Sequence, residues 1–227
     1  MILCAFCANA QNTQKHSVKV GDFTKLKVAK GVNVVYHQCG ADSTGMAVFD
    51  AEPSKVHIVS FKNNGKGKLT LEIDKEHLAV TNLPTIHLYS QFIQEAENAT
   101  DSTLTITSIL PTPSFKLRLS GNGTAVANNV KATTITLEIV TGRGVIAADG
   151  ECTTANLRNL GVGEIQADNL KAKDVNCSIA GTGHVGCYVD GGILNVKGMG
   201  SGKVYYRGKP DKVKMFKLGS IKAIAIE

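Results

Sequence analysis

The chain has no tryptophan, and aromatic residues make up only 5% of its 227 positions. That scarcity excludes a deep pocket walled by rings; small aliphatic and β-branched side chains, in a chain 43% hydrophobic, have to fill a thin core. Beyond the first ten residues no CxxC pair and no Cys/His cluster at ligand spacing occurs, so no metal site is expected. Beyond the first residues no run approaches the roughly 18 apolar residues that span a bilayer. The net charge is +6, yet Lys and Arg are scattered, without the dense run or interleaved aromatic platform that marks nucleic-acid binding. Helical periodicity is missing from residues 114–227, which excludes a βαβ fold.

What is abundant is glycine, 23 residues, and its placement is periodic. Paired glycines flank one residue at Gly121/Gly123, Gly142/Gly144, Gly161/Gly163, Gly181/Gly183 and Gly200/Gly202, with a degraded copy at Gly219; successive first glycines lie 19–21 residues apart. A fixed period of about twenty is a repeat architecture. Before each corner, apolar residues alternate, as in Phe115-x-Leu117-x-Leu119 and Ile135-x-Leu137-x-Ile139, and they alternate again after it, as in Ile146-x-Ala148 and Ile165-x-Ala167. Period-two alternation means strands with one buried face. The third copy breaks the pattern with Asn159. Glycine at each corner reaches positive φ without steric cost. The expected fold is all-β: a parallel β-solenoid, right-handed by the general crossover preference, with irregular N-terminal coils and about six regular coils of roughly 20 residues.

Residues 1–10 read as a signal-peptide remnant: Met1–Cys7 is apolar, and Ala8-Asn9-Ala10 predicts cleavage before Gln11. Neither Cys4 nor Cys7 follows the small residues that lipoprotein processing requires. Residues 11–113 read as an irregular β region with a polar insertion near 88–103, where the run from Gln94 to Ser102 is taken as a loop or single helical turn, and 114–227 as the regular array. An exported location is expected. Of the cysteines left, Cys39, Cys152, Cys177 and Cys187 allow three pairings, and the sequence does not choose. Cys177 and Cys187 fall on inward positions of one rung; facing sheets about 10 Å apart favour two small buried fillers.

The segment Val20-Gly-Asp-Phe23 through Leu26, Gly31-Val-Asn33 and Val34, the string Thr112-Pro113 to Gly123, the later corners and the ending Val204-Tyr-Tyr-Arg-Gly-Lys-Pro210 resemble the putative autotransporter adhesin head domain family, the head GIN domain. The resemblance covers nearly the whole chain after the leader and implies an exported β-helical protein of a Gram-negative envelope (periplasm, outer surface or secreted); it brings no catalytic residues.

Gly181-Thr-Gly183-His-Val-Gly186 matches GxGxxG, but no helix follows, so no nucleotide or other cofactor is expected. Seven residues after each first glycine stand Asn128, Asp149, Asp168, Tyr188 and Arg207, which stacked rungs would align as a polar ladder on one edge. Asp149 and Asp168 would then be about 5 Å apart at the backbone, placed for acid/base chemistry on a polysaccharide; the plainer role is turn capping. The expectation is an exported, non-enzymatic, adhesin-like protein binding a glycan or protein partner along its faces, the alternative a carbohydrate-active lyase or hydrolase using those two acids.

Overall fold

The computed structural model describes residues 13–77, 80 and 82–226. The apolar leader, its expected cleavage point, Cys4 and Cys7 lie outside them. Among the described residues eighteen strands form one continuous sheet. The first half supplies β1 (Gln14–Lys19), β2 (Lys25–Val28), β3 (Val34–Gln38), β4 (Met46–Ala51), β5 (Val59–Asn63), β6 (Lys68–Ile73), β7 (Ile86–Ser90), β8 (Glu95–Asn98) and β9 (Thr103–Ile106). The second half supplies β10 (Ile109–Ser120), β11 (Thr124–Thr141), β12 (Val145–Asn159), β13 (Glu164–Gly181), β14 (His184–Asp190), β15 (Ile193–Gly200), β16 (Lys203–Lys209), β17 (Lys212–Gly219) and β18 (Lys222–Ala225).

These strands coil into a parallel β-solenoid of about seven turns. Side chains alternate along each strand, so Leu117, Leu119, Ile135, Leu137 and Ile139 are fully enclosed while Lys116, Arg118 and Thr136 face out. Segments preceding the glycine corners stack as a front face, in the order β6, β2, β8, β10, β11, β12, β13, β15, β17. Segments following the corners stack as a rear face, in the order β7, β3, β9, β11, β12, β13, β14, β16, β18.

In the first half, stacking order and chain order differ. The level built from β2 and β3 is sandwiched between the later β6/β7 and β8/β9 levels. Antiparallel strands close that end: β5 pairs β6 through the Asn63–Gly67 turn, β4 pairs β7, and β1 pairs β4. The polar run expected as a loop holds β8 instead. Its inward residues are Ala96 and Asn98, both fully buried, and its outward Glu95 and Glu97 meet Lys25 and Lys27. Strand β10 crosses residue 113 without a break and pairs with both β8 and β11.

The glycine corners stack on one another, Gly181 pairing with Gly200 and Gly200 with Gly219. Within the corners, positive φ is confined to Gly142 (+97°), Gly181 (+127°), Gly200 (+116°) and Gly219 (+98°). At Gly121 and Gly161 the expected reason is replaced by another: the rung below comes too close for a side chain. A Cβ on Gly161 would lie 2.7 Å from the Gly142 carbonyl oxygen, and one on Gly121 would lie 2.7 Å from that of Thr100.

The second glycine of each pair also departs from the expectation. Gly123, Gly144, Gly163, Gly183 and Gly202 all have ordinary, non-positive φ, and all five are buried. Their lack of a side chain serves packing, not the turn. A Cβ on Gly144 would strike the Gly123 carbonyl and come within 2.6 Å of Leu119 Cδ2. One on Gly202 would lie 2.5 Å from the Gly183 carbonyl oxygen and 2.7 Å from Ile179 Cγ2. The first glycine thus turns the chain where φ is positive, and the second lets the corner close over the core of the level below.

Asn159, which breaks the apolar pattern, is fully buried in register with Ile139 and Ile179. Its Nδ2 donates to the carbonyls of Gly163 (2.7 Å) and His184 (3.2 Å), and its Oδ1 accepts the Gly161 N–H at 3.1 Å. Asn98 repeats the arrangement, donating to Ser102 (2.7 Å) and Thr124 (2.9 Å). A buried amide satisfied this fully costs little and braces its corner.

All four described cysteines are free. Cys177 and Cys187 are both free and buried, small fillers of the core as the sequence favoured.

Candidate functional site

The expected ladder sits where the rear face turns away after Ala127, Ala148 and Ala167. This corner holds a different number of residues at each level. Two residues, Asn128 and Asn129, bulge between Ala127 and Val130, where one, Asp149, lies between Ala148 and Gly150. At the next level Asp149 pairs with Asn169, and Asp168 is extra. In β14 the corner disappears, and Tyr188 pairs with Lys171 on one side and Arg207 on the other. The five residues therefore do not form one register column, because unequal corners shift the strands past one another.

Asp149 acts within the fold: its Oδ1 accepts the N–H of Asn129 at 2.7 Å, and Asn129 has φ of +50°, a conformation Asn tolerates better than most residues. Asp168 packs over Gly186, where an added Cβ would meet its Oδ1 at 2.6 Å. Asn128, Asp149 and Asp168 share a shallow depression of about 310 Å³ with Glu164, Gln166 and Asn169. Among the described residues no group of three or more His, Cys, Asp or Glu is placed to hold a metal. Further along, Lys171 Nζ lies 5.9 Å from the centre of the Tyr188 ring, and His184 packs edge-on against Tyr205.

The front face is more ordered. Lys27 Nζ lies 3.2 Å from Glu97. Glu138, only 5% exposed, receives Lys116 Nζ at 2.9 Å, Arg118 Nε at 3.1 Å and Arg158 Nη1 at 3.2 Å. Burial raises the Glu138 carboxyl, but the hydrogen bond and charge of Lys116 and the charges of Arg118 and Arg158 outweigh it and hold the group below its ordinary value.

A histidine pair on the rear face escaped the sequence. His37 Nε2 lies 2.9 Å from His87 Nδ1, and Tyr89 stacks on His37 with centroids 4.9 Å apart. Burial, then the charge of His87, lowers the His37 value. Fifty residues separate the two in sequence, and only the displaced order of β3 and β7 joins them.

Residues 22–210 match the family described as putative auto-transporter adhesin, head GIN domain. Three solved structures share the fold. One, described as a putative adhesin from Bacteroides fragilis, is 19% identical with a TM-score of 0.80. A second, described as a putative lipid binding protein from Parabacteroides distasonis, is 18% identical with a TM-score of 0.71. A third, described as a putative adhesin from Parabacteroides merdae, is 15% identical with a TM-score of 0.67. Each alignment covers 96% of this chain and 98% of the other. No curated protein matches the chain. No described helix is long and apolar enough to cross a membrane.

Proposed function

Because the chain belongs to the putative auto-transporter adhesin, head GIN domain family, we propose that it is an exported, non-enzymatic, adhesin-like protein that binds a glycan or a protein partner along the sides of its solenoid. The observation that carries this reading is the front face itself. From β2 to β15 its outward side chains stand in register, one level every 4.8 Å or so, on strands that tertiary stacking holds rigid. A long flat surface of this kind suits many weak contacts to an extended ligand.

The carbohydrate-active alternative draws support from one observation, the sharing of a depression by Asp149 and Asp168. Against it, Asp149 is spent on the Asn129 amide and pairs in register with Asn169. One experiment separates the two. The protein is incubated with host and bacterial polysaccharides and surface proteins, and both retention and new reducing or unsaturated ends are measured. Retention without turnover is the expected result. Turnover abolished by Asp168→Asn in a folded protein would replace the adhesin reading by the enzyme.

A further inference from the structure

We infer that the front face carries a binding site for a carboxylated glycan, centred on Ser178, at the level where the solenoid's own ladder of charges lacks an acid. That the ligand is a glycan rests on the adhesin reading; the place and the charge come from the ladder.

Seven outward residues form one register column: Lys27, Glu97, Arg118, Glu138, Arg158, Ser178 and Lys197. From Lys27 to Arg158 the sign alternates at every level, and each carboxylate has a cation on an adjacent strand. The next level should bring an acid and brings Ser178 instead. The level after it brings Lys197, exposed and without an ion pair among the described residues. Arg158 and Lys197 therefore stand two strand spacings apart, about 9.6 Å along the stack, with a short hydroxyl between them. A carboxylate resting over Ser178 takes the position toward Arg158 and Lys197 that Glu138 takes toward Arg118 and Arg158. Guanidinium–carboxylate pairing is among the stronger charge-assisted contacts.

The adjacent column supplies the polar companion. Asn156, Asn176 and Asn195 stack with their amides linked, Asn176 Nδ2 donating to Asn156 Oδ1 at 3.1 Å and Asn195 Nδ2 to Asn176 Oδ1 at 3.4 Å. An amide has two N–H donors and an oxygen with two lone pairs, so the ladder retains donors and acceptors for a row of hydroxyls. These side chains, with Thr136, Arg158, Ser178 and Lys197, bound a depression of about 330 Å³. Here both edges of every strand are already paired. An acidic peptide would find no free backbone groups to zip onto, whereas a hydroxyl-rich ligand uses the amides.

The test uses the full chain with immobilised polygalacturonate, its methyl ester, and dextran. Three substitutions each lower the charge by one: Ser178→Glu, which supplies the missing acid; Lys197→Gln, on an exposed side chain; and Thr133→Glu, exposed away from the front face. The parent should be retained by polygalacturonate and not by its ester. Ser178→Glu and Lys197→Gln should each weaken retention about tenfold or more, as loss of a charge-assisted contact implies, and Thr133→Glu should leave it unchanged. Ser178→Glu should melt no lower than the parent, since the added acid completes the ladder. Equal weakening by all three would reduce the effect to general attraction toward a basic chain and overturn the site. Failure of polygalacturonate to retain the parent also overturns it, and dextran or protein binding that persists in that case leaves the adhesin reading standing.

Discussion

Single side chains here do work that their residue type disguises. Asn159 looks like a polar fault in a buried column, yet it holds three backbone groups of the Gly161–Gly163 corner and the next rung. Asn159→Leu should therefore destabilise the protein by about 1–3 kcal/mol despite its greater hydrophobicity, because the freed carbonyls and amide stay buried. Chemical denaturation measures this; a variant as stable as the parent would show that the amide is dispensable. Glu138 offers a test with a pH signature. Its folded value lies below the ordinary 4.5, so its stabilisation is complete above that pH and is lost as pH falls through the folded value. Glu138→Gln should lower the melting temperature at pH 7, and the gap from the parent should close as pH drops below 4.5. A gap that does not change with pH would mean the cations contribute packing and not charge. The thiols report burial in the same way. Burial pushes Cys152 up to about 12. Contact with Cys187, then burial, carries Cys177 well above its ordinary value. Since thiolate is the reactive form, iodoacetamide at pH 8 should leave both unmodified in the native protein over a time that modifies them fully in denaturant.

At the scale of the element, the corner is the unit of repetition. Gly161→Val should destabilise the solenoid by about 2 kcal/mol or more, as backbone strain or overpacking does. The cause is the 2.7 Å approach to the Gly142 carbonyl, not left-handed backbone. Thermal melting decides it: an unchanged midpoint would mean that the rungs can separate to admit a side chain. The same elements show what was legible in the sequence. The regular half was readable because its inward residues, such as Leu117, Leu137 and Leu157, recur four or five residues before each glycine pair. The pairing of the glycines was equally plain, but the separate reason for the second member was not. Gly144 and Gly202 are required by the rung beneath them, and a rung's neighbour is absent from a one-dimensional reading. Strand β8 was hidden because Ala96 and Asn98 carry its buried positions and leave no hydrophobic alternation. The order of β2, β6 and β8 is also invisible to a period search, since the levels stack out of chain order. At the polar corner the offset of seven from each first glycine is real, but register is set by the number of residues in the bulge. An equal count along the chain therefore misaligned Asp149 with Asp168, whereas the structure pairs it with Asn169. The front-face charge ladder could have been found by writing the rungs beneath one another and reading the outward positions.

For the whole molecule, the two ends of the solenoid differ, and stability should follow that difference. At one end the antiparallel strands β1, β4 and β5 lie over the first levels, with Phe49 and Ala51 of β4 and Ile58 just before β5 buried. At the other, β17 is exposed along its full length. Val213 and Met215 continue the inward columns of Leu194 and Val196, but they are 42% and 40% exposed where those two are fully buried. Lys212, Lys214 and Lys217 crowd this last front-face strand, the kind of charge that discourages another strand from adding to an edge. In a stack each level is held by its neighbours, so the level with a neighbour on one side opens first. Hydrogen exchange should be fastest in β17 and β18, slower in β15 and slowest in β11 and β12. Two substitutions in one column sharpen the expectation: Leu194→Ala should cost about 2–5 kcal/mol as a buried truncation, and Val213→Ala less than about 1 kcal/mol because its site is already open to water. Uniform protection from β11 to β17, with equal costs at the two positions, would mean that the solenoid unfolds as one unit and that something covers its last level in solution.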